Sequence, residues 1–188
     1  MLKPAEIEYM LQDSGAKLVI VTPEHLENAK AAHAPKIIDD LNRLLEESRP
    51  APLGKFDADT PCLILYTSGS TGSPKGAVHL HDHLPETIER VAKVVYKLGP
   101  EDRIFSSSRL FFAYGLGNSF SYPIGSGCSV VLCSERPMPP VIADIFKRYQ
   151  PTIFFAVPAV FRGLIEYARQ GNKLDTGSLK FCVSAGEV

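Results

Sequence analysis

Ile153-Phe154-Phe155-Ala156-Val157-Pro158, carried on by residues 159–169 and closed by Gln170-Gly171, is the stretch that decides the fold. A short apolar run rich in aromatic and branched side chains suits a strand covered on both faces. Pro158 cannot continue such a strand. It suits the first turn of a helix, because its φ is already helical and the N–H it lacks would have no partner there. The spacing predicts a strand at 153–156 and a helix at 158–170, stopped by Gly171. A further β-run follows at 181–183. Strand, crossover helix and strand in succession is the unit of a parallel sheet.

Outward from this stretch the alternation repeats. Helices are expected at 4–15, with Ile7, Met10 and Leu11 on one face and Gly15 as its stop, from Pro23 onward, at 39–48, where Leu41, Leu44 and Leu45 share a face, and at 84–97 after a cap at Asp82. Strands are expected at 17–21, 62–66, 103–106 and 129–132. The fold class is therefore α/β, a mainly parallel sheet with crossover helices. Pro50, Pro52 and Gly54 mark a connection that divides an entry segment, 1–55, from the segment 56–188.

Composition excludes several functions. The 188 residues carry 20 basic and 21 acidic side chains, a net charge of −1, and 45% are apolar, so the chain can bury a core and has no field to gather nucleic acid. The longest apolar run is broken at Pro158 and falls short of the roughly 18–20 residues a membrane span needs. Met1 to Met10 carries Lys3, Glu6 and Glu8 and lacks the apolar core of a signal peptide, so a cytoplasmic location is expected. Cys62, Cys128, Cys133 and Cys182 form no C-x-x-C pair and are expected as buried, reduced thiols. His79, His81 and His83 alternate as on one strand face, yet no cysteine or well-placed acid accompanies them at ligand spacing, and no metal site is assigned.

The chemistry concentrates in Tyr66-Thr67-Ser68-Gly69-Ser70-Thr71-Gly72-Ser73-Pro74-Lys75-Gly76, directly after a β-run. Glycines let backbone N–H groups approach oxygen, hydroxyls donate short hydrogen bonds, and a lysine offers a mobile positive charge, a combination suited to a polyphosphate. A polar linker would need neither the Pro-Lys-Gly ending nor the strand before it. Pro74 stands where a Walker loop needs glycine, and Gly115-Leu116-Gly117 does not continue into the dinucleotide fingerprint.

These residues resemble the phosphate-binding signature of the acyl-adenylate-forming (AMP-binding) superfamily. Two further segments are similar to it: Leu110-Phe111-Phe112-Ala113-Tyr114-Gly115-Leu116-Gly117-Asn118, in the form found in benzoate-CoA ligases, and Ser184-Ala185-Gly186-Glu187. The resemblance covers nearly the whole chain. It implies an ATP-dependent ligase that joins an aromatic carboxylate to AMP with loss of pyrophosphate and then transfers the acyl group to CoA. Thr67, Ser68, Gly69, Ser70, Thr71, Gly72 and Lys75 would contact the ATP phosphates, with Lys75 beside the leaving pyrophosphate. Gly186 and Glu187 would flank the adenine, and Ala113, Tyr114 and Gly115 would wall the acid, with Phe111 in the core. In the family a magnesium ligand, a ribose-binding aspartate and a lid domain bearing a catalytic lysine come later in the sequence. The resemblance thus implies part of the large N-terminal domain, cut at both ends and inactive by itself; the alternative is a stand-alone module that binds a nucleotide or an aryl acid without catalysis.

Overall fold

The structure is a computed structural model that describes residues 2–67 and 74–186. Its chain divides into two compact units, Met1–His81 and Asp82–Val188.

The first unit opens with α1 (Pro4–Ser14), which starts on a proline and stops at Gly15, whose φ of 64° only glycine adopts without strain. Glu6 accepts the Lys3 backbone N–H at 2.7 Å, and so occupies a donor that the helix leaves free. Two short strands, β1 (Val19–Ile20) and β2 (Ile37–Ile38), pair in parallel, with a 3₁₀ turn at Pro23–His25 and α2 (Leu26–Ala31) between them. Asp40 then caps α3 (Leu41–Glu47) by accepting the Arg43 N–H at 2.9 Å. The unit ends in an antiparallel hairpin of β3 (Pro61–Thr67) and β4 (Lys75–Leu80). The sequence reading finds β3 but not β4. It also places His79, His81 and His83 on one strand face, whereas β4 stops at Leu80, His81 lies in the turn and His83 opens a helix.

The second unit carries a four-stranded sheet in the order β6-β5-β7-β8, every pair parallel, as the fold class requires. Here β5 is Arg103–Ser106, β6 Ser129–Val131, β7 Ile153–Ala156 and β8 Phe181–Ser184. Side chains alternate across the sheet. Ile104, Ile153 and Phe155 join Ala92, Leu98, Tyr122 and Cys128 in one buried cluster; Phe105, Phe154 and Ala156 join Ile142, Ile145, Phe146 and Leu164 in another. The second cluster draws on α7 (Pro139–Tyr149) and α8 (Pro158–Arg169). The first draws on the helix that begins as α4 (His83–Thr87) and widens to π geometry over Ile88–Val95, and on a second helical stretch made of α5 (Ala113–Leu116), a π turn (Gly117–Ser121) and α6 (Tyr122–Ser126). Asp82 makes no side-chain cap to α4, contrary to expectation.

Two further expectations are corrected. Phe111 is not core but 73% exposed, its ring 4.5 Å from that of Phe112, which is also exposed. Of the four free cysteines only Cys128 is buried, and burial pushes its thiol up to about 11; Cys62 and Cys133 are half-buried and Cys182 is exposed.

At the amino ends of β5, β7 and β8 sits a charged tie. Asp102, 2% exposed, accepts hydrogen bonds from Lys180 Nζ at 2.7 Å, from the Thr152 hydroxyl at 2.9 Å and from the Gly99 N–H at 3.1 Å. At the opposite ends of the strands the connections part: the chain leaves β5 for β6 on one side and β7 for β8 on the other. Such a divergence opens a crevice beyond the carboxyl ends of the sheet, where ligands of open α/β sheets bind.

Candidate functional site

The polar loop is carried by the β3–β4 hairpin. Thr67 and Lys75 are register partners at its mouth and both are exposed, so a hydroxyl and an ammonium face each other across the last pair of the ladder. Ser68, Gly69, Ser70, Thr71 and Gly72, predicted to bind phosphate, lie outside the described residues, as does Glu187. One step back from the mouth, Tyr66 pairs with Gly76. A Cβ on Gly76 would come within 2.9 Å of Ile64 Cγ2 and 3.2 Å of the Tyr66 ring, so the glycine admits the tyrosine across the strand pair. The Tyr66 hydroxyl donates to Asp13 Oδ2 at 2.6 Å and lies 3.3 Å from the Met10 carbonyl, which ties the strand entering the loop to α1. That bond to a carboxylate, with some help from burial, pushes the phenol up to about 12. Tyr66 is therefore a neutral anchor at neutral pH.

The predicted acid-binding residues stand beyond the carboxyl end of β5, at the start of the helical stretch. Ala113 is exposed, Tyr114 half-buried and Gly115 buried. The Tyr114 hydroxyl donates to the Val183 carbonyl of β8 at 3.0 Å, and its ring meets Phe155 edge to face at 6.2 Å. Burial pushes this phenol too up to about 12. Tyr114 thus has one edge in the core and keeps its phenol un-ionised near neutrality. Gly115 answers to a different demand from the one expected: the space a Cβ would fill is occupied by the Arg109 carbonyl, so the glycine is required by backbone contact and not only by room for a ring.

Gly186 follows β8 with φ 90°, and Val157 Cγ1 lies 3.3 Å from where its Cβ would be. The preceding Ala185 N–H reaches the Ala156 carbonyl at 3.3 Å. Tyr114, through Val183, and Gly186 are thereby brought to the same end of the sheet, where its connections diverge.

Sequence reasoning missed Arg109 and Asn118. Arg109 Nη1 donates to the carbonyls of Ser134 at 3.0 Å and Cys133 at 3.4 Å. Asn118, 2% exposed, faces the Tyr114 phenol, yet its Nδ2 has no partner at hydrogen-bond distance. Its place one helical turn after Tyr114 was the available signal. Two hollows lie elsewhere and contain none of the predicted residues. One, of about 510 Å³, is lined by Phe146, Phe161, Leu164 and Leu179; the other, of about 890 Å³, by Ile20, Ile38, Leu41 and Leu44 in the first unit. Among the described residues no three His, Cys, Asp or Glu side chains gather as a metal site, and no helix is long and apolar enough to cross a membrane.

Comparison with known proteins bears on this arrangement. The model of the AMP-binding enzyme family matches residues 1–188. A benzoate–CoA ligase of Thauera aromatica is 35% identical over the whole of this chain, which spans about 38% of that relative's length. Among solved structures, a benzoate CoA ligase from Burkholderia xenovorans LB400 superposes with a TM-score of 0.87 at 31% identity, covering 100% of this chain and 39% of that one. The anthranilate CoA ligase AuaEII in complex with anthranoyl-AMP does so at 0.87 and 30% identity, covering 100% and 38%.

Proposed function

We propose, because this chain belongs to the AMP-binding enzyme family, that it is the portion of an aromatic acid–CoA ligase that grips ATP phosphates and walls the acid. The observation that carries the reading is the hairpin mouth, where Lys75 stands opposite Thr67 at the ends of a segment made of hydroxyl residues, glycines and a proline. The similar ligases act on benzoate and anthranilate, which makes a small aryl acid, benzoate first, the proposed substrate.

In the proposed reaction a carboxylate oxygen attacks the α-phosphorus of ATP, and the bond to pyrophosphate breaks as the acyl phosphate bond forms. The CoA thiol, losing its proton, then attacks the acyl carbon and AMP departs with the bonding pair. Catalysis of the first step is positioning and charge stabilisation. Lys75 supplies positive charge to the leaving pyrophosphate, while Thr67, Ser68, Gly69, Ser70, Thr71 and Gly72 donate hydroxyl and backbone hydrogens to phosphate oxygens. Gly186, with no side chain, lets the adenine lie along the backbone after β8, with Glu187 beside it. The Tyr114 ring, pinned by the Val183 carbonyl, forms an aromatic wall with Ala113 and Gly115. Magnesium would accompany ATP and shield its phosphates; no residue of this chain is assigned to it. A cytoplasmic location is part of the proposal, since the reaction would draw on ATP and CoA.

Benzoate-dependent exchange of labelled pyrophosphate into ATP by the whole protein is the test, and exchange is expected. Binding of ATP or benzoate without exchange would sink the ligase reading in favour of a binding module.

A further inference from the structure

We propose that Arg109 is a positioning residue that latches the wall of the acid site to the sheet, an inference that rests on the assignment of Ala113, Tyr114 and Gly115 to that site. Arg109 lies in the connection after β5, which has no ladder of its own, and it works in two directions. Its guanidinium donates from Nη1 to the Ser134 carbonyl at 3.0 Å and the Cys133 carbonyl at 3.4 Å, both just past the end of β6. Its own carbonyl accepts the Phe112 N–H at 3.1 Å and fills the space that a Cβ on Gly115 would need. The side chain therefore holds the end of β6 while the backbone supports the first turn of α5.

Tyr114 provides the matching tie on the other side, through its hydroxyl to Val183 of β8. Because β6 and β8 are the two edges of the sheet, the segment 109–115 spans the carboxyl ends of the central strands and is fastened at both borders. Among the described residues no carboxylate pairs with Arg109, so its charge serves two neutral carbonyls. A guanidinium keeps its charge at every accessible pH, and its hydrogen bonds are stronger than neutral ones. Removing them frees the wall on one side without touching the acid itself, and an error of about 1 Å in placement is enough to cost on the order of 100-fold in a reaction that depends on orientation.

The test compares Arg109→Met and Arg109→Lys in the whole protein, by benzoate-dependent pyrophosphate exchange and by amide hydrogen exchange. Arg109→Met is expected to raise the benzoate KM about tenfold while the ATP KM stays within about twofold, and Arg109→Lys, which keeps a donor for the Ser134 carbonyl, to recover most of the loss. Amides 112–116 are expected to exchange about tenfold faster in the methionine variant, with those of β5 and β7 unchanged. An unchanged benzoate KM, or equal increases for benzoate and ATP, overturns the latch. Should the unsubstituted protein show no exchange with benzoate or any other aryl acid, the substrate reading fails separately, and the latch stands or falls on the amides: equal exchange at 112–116 overturns it. Where the methionine variant does not fold, Arg109→Lys decides alone, with a benzoate KM raised about twofold expected and identical KM and amide exchange overturning the proposal.

Discussion

The tie at Asp102 permits a prediction in which two substitutions at one position have separable costs. In Asp102→Ala the Gly99 N–H loses its acceptor in a closed site, the Thr152 hydroxyl is left with only the Arg103 carbonyl 3.4 Å away, and the lost side chain leaves a small void, at about 1 kcal/mol each. A total near 3 kcal/mol is expected. Lys180 adds little to this, because its side chain is 49% exposed and can turn to water or toward Glu101, 3.9 Å away. Asp102→Asn differs atom by atom. Its amide oxygen can keep the Gly99 N–H, and its NH₂ can donate to Thr152 Oγ1 while that hydroxyl turns to the Arg103 carbonyl, already 3.4 Å away. The charged hydrogen bond from Lys180 is lost, its ammonium turning to water, and the cost of burying a carboxylate disappears with the charge, so about 1 kcal/mol is expected.

Urea unfolding followed by far-UV circular dichroism measures both. The pH dependence adds a second check. Burial, the largest influence on the Asp102 carboxyl, pushes its pKa up, but the hydrogen bonds from Lys180, Gly99 and Thr152 together outweigh it and hold the group below its ordinary 3.8. A pKa depressed in the folded state contributes stability above 3.8 that is lost as pH falls through the folded value. The difference between the unsubstituted protein and Asp102→Asn should therefore be full at about pH 5 and above and shrink below about pH 4. Equal costs for alanine and asparagine, or a gap that widens in acid, would refute the reasoning.

Other outcomes follow from the same geometry. Lys75→Ala should lower benzoate-dependent pyrophosphate exchange about 10- to 1000-fold, the range for loss of one transition-state charge contact, and an unchanged rate removes Lys75 from the mechanism. Gly115→Ala forces a Cβ against the Arg109 carbonyl, a backbone atom that cannot swing aside, and should cost about 1–3 kcal/mol in urea unfolding; a neutral result contradicts the close approach. In an ultraviolet titration Tyr66 and Tyr114 should ionise only near pH 12, so Tyr66→Phe and Tyr114→Phe should each remove a late-titrating phenol and leave the early ones in place. Loss of an early phenol instead would contradict the anchoring of both rings.

How much of this was legible depended on whether the signal was local. The strands β5 and β7 could be bounded to the residue, because β7 is an apolar run and β5 centres on the apolar pair Ile104-Phe105, each beside turn residues and buried on both faces. Strand β4 could not, since Lys75-Gly76-Ala77-Val78 is exposed and owes its extended form to pairing with β3. The helical stretch from Ala113 to Ser126 was hidden by Gly115, Gly117, Pro123 and Gly125, all poor helix formers. Tertiary contact reverses that preference: Gly115 admits the Arg109 carbonyl and Gly125 the Ile88 side chain. Phe111 failed the simplest rule, that a large aromatic is inside, because it precedes the helix and projects from the connection. At the proposed site, the phosphate-binding expectation came from the residue types of the loop, whereas the acid-wall expectation came from resemblance. Arg109 and the Asp102–Lys180 pair gave no sequence signal, because their partners lie far along the chain.

The hairpin also explains why the loop departs from a Walker sequence. In a Walker-type site the loop runs into a helix, whose free N–H groups and dipole add to the attraction for phosphate. Here the loop runs into β4, and paired strands carry little net dipole. The positive potential must then come from individual hydrogens and from Lys75. A hairpin supplies a different advantage: the two ends of the loop are fixed at ladder spacing, about 4.5–5.5 Å between Cβ atoms, so Thr67 and Lys75 are placed opposite one another before any ligand arrives. Tyr66 fastens this frame to α1 through Asp13. On the function proposed above, hydroxyl-rich composition, a single lysine and an anchored strand would be one way to hold a polyphosphate without the helix end that a Walker loop adds to its own lysine and hydroxyl.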